Sequence, residues 1–241
     1  MIKYHPKFEL IQSYANGDLP ASLSIGITIH AEMCDICRQK IAQLTEQIAE
    51  CSFELPNDEI GVIPAQGTNS ESSFYSVQGD KDFFDSFDSF DSIINNITDS
   101  PEIDQVVEAV DRIVTFKGKS YTLPSALNHV TLGKSANVGK LSRARLQLNE
   151  NEIHSNLLHF NPGGGVPEHT HKGFELTVLL DGSFSDHKGN YHKGDFIMLD
   201  GTFTHNPMSK QGCLCYTVAN DALHFTQGVN KLLNPIGSFI Y

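Results

Sequence analysis

"GVPEHTHKGFELTVLLDG", residues 165–182, sets two histidines and a glutamate into a run that otherwise reads as a buried strand. Side chains alternate faces along a strand, so His169, His171 and Glu175 share parity and point into one interior if the strand is not bulged. A carboxylate alone in an apolar wall would carry a heavy desolvation cost. Further on, "GDFIMLDGTFTH" (194–205) brings His205 from a second hairpin. Three imidazoles and one carboxylate make a borderline nitrogen and oxygen donor set that suits zinc, manganese, iron or nickel. A single histidine is more often a packed or surface residue than a ligand, and the spacing sets these four apart. His154, His159, His187 and His192 fall outside it and read as surface or structural.

Around this stretch, from Thr115 onward, the chain reads as β. Short apolar or alternating runs ("RARLQL", "HSNLLHF", "ELTVLL", "DFIML", "CLCYTV") are separated by glycine, asparagine, aspartate and proline turns every 8–12 residues, the spacing of a sandwich or barrel. Cys213 and Cys215, two apart on one such run, face the same side. They are redox candidates, although buried free cysteines often only pack.

The other end reads as α. Phe8, Ile11, Tyr14 and Ala15 recur at helical spacing up to the stop at Gly17. A second helix is expected from Pro20 or Ala21 to about His30. A third, 34–50, carries Cys37, Ile41, Leu44 and Ile48 as one apolar stripe. "HAEMCDIC" (30–37) puts His30, Cys34 and Cys37 close together, and His5 can complete a tetrahedral N2S2 set. Such a closed set implies a structural zinc that supplies stability to a segment with little core of its own.

Between these ends, 51–81 is rich in Pro, Gly, Ser and Asn and reads as a linker. "DFFDSFDSFDSIINNI" follows as an amphipathic helix, 82–97, with Phe83, Phe87, Phe90, Ile94 and Ile97 along its seam. That seam either packs on its own domain or docks with a partner. Ser100 and Pro101 then open a connecting helix, 99–114. The expected organisation is α then β: a zinc-bound helical domain over 1–98, the connection, and a barrel over 115–241.

Composition narrows the function. With 17 Lys and Arg against 29 Asp and Glu, the net charge is −12. The electrostatic drive for nucleic-acid binding has the wrong sign, which argues against direct DNA contact and for a basic protein partner. No run reaches the ~18 apolar residues of a membrane span, and five cysteines in close pairs plus Cys51 fit a reducing compartment. A cytoplasmic, non-membrane protein is the expectation.

Two resemblances follow from the motifs. G-x(3)-H-x-H-x(3)-E-x(6)-G with G-x(10)-H is similar to the paired metal motifs of the cupin superfamily of jelly-roll barrels. Asp200 stands where proline is common and Thr202 where glycine is. The full layout, H-x(24)-H-x(3)-C-x(2)-C, linker, amphipathic helix and cupin, resembles the ChrR group of zinc-containing anti-sigma factors, with 51–130 matching only in outline. That resemblance implies binding and inhibition of an ECF (group IV) sigma factor by the N-terminal zinc domain. It also implies that the cupin senses singlet oxygen or related oxidants such as organic peroxides. His5, His30, Cys34 and Cys37 then hold structural zinc; His169, His171, Glu175 and His205 hold the cupin ion; Cys213 and Cys215 match a C-x-C pair of the family. The helix of 82–97 would wedge between the two sigma domains. The rival reading is a cupin dioxygenase or isomerase with a docking module, using Glu168 or Tyr216 as its acid or base.

Overall fold

The computed structural model describes residues 2–53, 94, 95, 98, 99, 111–221, 224 and 225. Three helices come first. Helix α1 (Phe8–Asn16) ends where Gly17 takes φ +79°. The Gly17 and Asp18 N–H groups return to the Tyr14 and Ser13 carbonyls at 3.1 and 2.9 Å, which satisfies the helix end. Helix α2 (Ala21–Met33) runs three residues beyond the expected stop at His30, because the break falls at Cys34, whose backbone is extended. Helix α3 (Asp35–Phe53) starts directly after it.

The strands are β1 (Ile113–Phe116), β2 (Lys119–Thr122), β3 (Ala136–Val138), β4 (Leu141–Leu146), β5 (His154–Phe160), β6 (Gly164–Gly165) and β7 (His169–Thr170). They continue as β8 (Phe174–Asp186), β9 (Gly189–His192), β10 (Phe196–Asp200), β11 (Met208–Ser209), β12 (Cys213–Ala219) and β13 (His224–Phe225). Residues 111–114 therefore do not continue a connecting helix: the β-branched run at Ile113 and Val114 pairs with Thr122 and Tyr121 in a hairpin. The main sheet runs β3-β4-β5-β12-β8-β11-β6, with β9 and β10 also paired to β8, and every pairing is antiparallel.

Strand β12 shows how the layers are built. Cys213 and Cys215 face inward, among Leu158, Phe160, Leu179 and Phe184. Leu214, Tyr216 and Val218 face outward, yet they too are buried, against Leu23 and Ile27 of α2. A slip in register lets two β8 residues oppose one β12 step between Leu214 and Cys215. Before that bulge Leu176 and Val178 face the helices; after it the parity reverses and Phe184 points inward. Glu175 precedes the bulge and keeps the parity expected of it.

Helix α2 lies close to the sheet because Gly26 lets it: a Cβ there would stand 2.6 Å from Leu176 Cδ2. Tyr216 crosses the same interface and donates its hydroxyl proton to the Ser22 carbonyl at 2.8 Å. Residues 1–55 and 110–241 accordingly form one compact unit. The helices and the barrel, expected as separate domains, share a core because α2 is apolar on nearly every side and buries both faces. A second unit spans 56–109, of which the described part is a helical turn with Thr98 Oγ1 donating to the Ile94 carbonyl at 2.9 Å. Ile94 is exposed there; the linker expected over 51–81 begins later than its composition suggested, because 51–53 continue α3, while the rest of it and Phe83, Phe87, Phe90 and Ile97 lie outside the described residues. Among the described residues, no helix is long and apolar enough to cross a membrane.

Candidate metal centres

The first centre joins the chain start to the α2–α3 junction. His5 Nδ1 lies 3.3 Å from His30 Nε2, 3.4 Å from Cys34 Sγ and 3.5 Å from Cys37 Sγ, and His30 Nε2 lies 3.3 Å from Cys37 Sγ. A tetrahedral zinc with ordinary bond lengths sets its ligands about 3.3 Å apart for two nitrogens and about 3.6 Å for nitrogen and sulfur. These four separations fit such a tetrahedron, and all four donor atoms lie within 4.8 Å of one another. Burial, and next the charge of Cys34, push the Cys37 thiol up to about 12, so a thiolate there needs a cation beside it. Burial lowers His30 and keeps its ring neutral, and its Nδ1–H donates to the Gly194 carbonyl at 2.7 Å. Nε2 is thereby left as the lone-pair nitrogen facing the cluster. The extended Cys34 lies between α2, which carries His30, and α3, which carries Cys37.

The second centre lies inside the barrel. His169 and His205 are paired by reciprocal backbone hydrogen bonds of 3.0 Å, which brings two distant loops together. His169 Nδ1–H donates to the Pro167 carbonyl at 2.8 Å, so its Nε2 is unprotonated. Glu175 Oε2 stands 3.1 Å from both His171 Nε2 and His205 Nε2. None of those three buried atoms has a partner in hydrogen-bonding geometry. Buried polar groups are normally satisfied, so polar atoms converging without hydrogen bonds fit a coordinated cation. Burial lowers His169 to about 4, which keeps it neutral as a ligand must be. Burial would raise Glu175, but the His171 and His205 imidazoles overcome that and hold it well below the carboxylate range.

Around this centre is a cavity of about 30 Å³, lined by Glu175, Thr177, His205, Cys215 and Thr217 among others. Cys215 donates a weak hydrogen bond to Cys213 across 3.9 Å. That bond lowers the Cys213 thiol and, together with burial, raises Cys215 well above its ordinary value. Both sulfurs are buried and one touches the cavity, whereas Cys51 is exposed.

The residues offered for enzymatic acid–base work lie elsewhere. Tyr216 is on the outer face of β12 under α2. Glu168 lines a surface hollow with Lys140 and Asn206. Two acidic residues escaped sequence reasoning. Asp186, whose side chain is 2 % exposed, sits 3.7 Å from His205 Nδ1 and also accepts from the Lys188 and Gly189 N–H groups. Asp195, in the Gly-Asp turn before β10, is 1 % exposed. Asp186, three residues before Gly189, and Asp195, directly after Gly194, look like turn residues in sequence, and only their burial marks them otherwise. Asp200 and Thr202 close their loop as an Asx turn, with Asp200 Oδ1 accepting from Thr202 N–H at 2.9 Å. Of the histidines outside the motifs, His159 is buried and stacked on Phe116.

Residues 133–222, which span the second centre, match the family model of the ChrR cupin-like domain. The likeness extends to the helices: the chain is 25% identical over 240 residues to the anti-sigma-E factor ChrR of Cereibacter sphaeroides, covering 97% of each chain. A crystal structure of Rhodobacter sphaeroides SigE in complex with the anti-sigma ChrR has the same fold, with TM-score 0.58 at 20% identity, covering 91% of this chain and 99% of that one.

Proposed function

We propose that this chain is an anti-sigma factor that binds and inhibits an ECF (group IV) sigma factor through its zinc-holding N-terminal helices. One observation carries the reading: an N2S2 tetrahedron and a ChrR-type cupin occur together in a chain that covers 97% of the ChrR anti-sigma-E factor. The charge of −12 suits a partner that is basic where it meets DNA. Phe8 on α1 and Ile36, 71 % exposed between the two cysteines, offer apolar contacts beside the zinc-holding cluster. Inhibition needs only occupancy of the sigma factor's working surface. The seam of Phe83, Phe87, Phe90, Ile94 and Ile97 is proposed as a further contact.

The first ion is zinc, which N2S2 ligation favours and which holds α1, α2 and α3 together without chemistry of its own. The second is a divalent ion, zinc first, with manganese, iron or nickel also accommodated by three imidazoles and a carboxylate. In this reading the barrel senses an oxidant such as singlet oxygen or an organic peroxide, with Cys213 and Cys215 as its redox candidates and Cys215 the one that lines the cavity. A cavity of about 30 Å³ is far below the ~300 Å³ at which substrate pockets begin. Signal reception, and not turnover of an organic substrate, is what such a space suits.

The decisive experiment mixes the purified chain with the ECF sigma factors of its own cell. A one-to-one complex that silences sigma-dependent transcription in vitro is the expected result. Failure to bind any of them, alongside turnover of small molecules by the metal-loaded chain, would reject the reading in favour of an enzyme.

A further inference from the structure

Three consecutive barrel residues grip the two chain segments that carry the histidines of the first centre. The Gly194 carbonyl accepts from His30 Nδ1–H at 2.7 Å and fixes which nitrogen faces the cluster. The buried Asp195 carboxylate accepts from the Lys3 and Tyr4 N–H groups at 2.7 and 3.1 Å through Oδ1, and from the His192 N–H at 2.8 Å through Oδ2. The Phe196 N–H returns to the Tyr4 carbonyl at 3.0 Å, and its ring packs edge-on against the His30 imidazole. His5 is the next residue after Tyr4, so its position follows from these bonds. Ile2 closes over Gly194, where a Cβ would stand 2.5 Å from Ile2 Cδ1.

The turn is fastened to the barrel in its own right. Gly194 N–H donates to the Leu179 carbonyl at 2.8 Å and Leu179 N–H to the Asp195 carbonyl at 3.2 Å. Leu179 is the β8 residue opposite Cys215. Hydrogen bonds therefore connect β8, beside the cavity-lining Cys215, through residues 194–196 to Tyr4 and His30.

We propose that residues 194–196 are the outer coordination shell of the His5, His30, Cys34 and Cys37 centre, with Asp195 as the positioning residue that sets where His5 stands. The N-terminal zinc is then held by the barrel as well as by its ligands, and a change in the barrel reaches it through one turn. This rests on the reading of the cluster as a zinc site. Outer-shell partners of metal ligands typically contribute about 10–100-fold in affinity, and a carboxylate that organises three N–H groups belongs in that range.

The test follows zinc release from the full chain into a chromogenic chelator, with peptide-resolved alkylation of Cys34 and Cys37 to locate the event. Asp195→Ala is expected to speed release and alkylation at the first centre at least about tenfold, with Asp195→Asn in between and the ion of the barrel retained. Unchanged release in a folded Asp195→Ala protein would overturn the proposal, as would equal acceleration at both centres, which marks general loosening. Should Asp195→Ala fail to fold, Lys3→Pro removes one donor to Asp195 from an exposed position, and the proposal requires it to speed release several-fold; no change overturns it. If His30→Ala does not lower the ion count, the ligand reading itself fails. A normal count with unaltered release sinks only the outer shell.

Discussion

The two centres differ in what surrounds them. The first is held at the edge of the molecule: His5 is exposed, and the core beside it is a small group built on Ile11, Cys34 and Cys37. The second is sealed in a barrel whose sheet is packed on both faces, by its own interior and by α2. An ion at the first would stand in for a missing core, whereas an ion at the second would sit in a fold that other contacts already support. Loss of the first should therefore cost structure, and loss of the second mainly the chemistry of the cavity.

The largest effect that comparison predicts is at the first centre. If the cluster holds zinc as proposed, His30→Ala should remove one ion per chain, unravel the α2–α3 junction and weaken capture of the proposed sigma-factor partner by at least about a hundredfold, since zinc ligation of this type contributes ~10 kcal/mol or more to folding. Isothermal titration with and without zinc checks it, and capture that survives the loss of the ion breaks the comparison. Next comes Gly26→Leu, which forces Leu176 aside and should destabilise the joint core by about 1–3 kcal/mol in urea unfolding. A variant as stable as the parent would mean that α2 does not sit on the sheet.

Smaller again is Tyr216→Phe, which leaves the Ser22 carbonyl without its donor and should cost about 1–2 kcal/mol while ion content stays whole. Loss of the barrel ion in this variant would restore Tyr216 to the metal cavity. Glu175→Gln is expected to have the least structural effect: the barrel ion leaves, the circular dichroism of the barrel persists, and the melting temperature falls by less than half as much as in His30→Ala. An equal fall would erase the distinction between the centres. Thiol labelling of the native chain sharpens it, with Cys51 reacting at once and Cys213 and Cys215 only on unfolding.

Much of this was legible in advance for a physical reason. Groups able to hold a metal ion are limited to particular residue types, and strand or helix geometry ties their spacing to a face, so the convergence of His169, His171, Glu175 and His205, and of His30, Cys34 and Cys37, was readable from their spacing. Helix ends at Gly17 and near Pro20 were likewise local. The wrong extent of α2 and the helix expected through 114 came from interactions that local signals do not contain: the extended Cys34 serves a cluster completed by His5, and Ile113 and Val114 answer to a partner strand.

The sequence alone determined which atoms are available to bind ions and the alternation that brings them to one side of a strand or turn, because ligand chemistry and backbone period are local properties. Tertiary structure decided that α2 and the sheet share one core, that Tyr216 faces helix and not metal, and that Asp186 and Asp195 are buried supports. Those outcomes depend on which surfaces exclude water together, and burial is a property of the assembled fold.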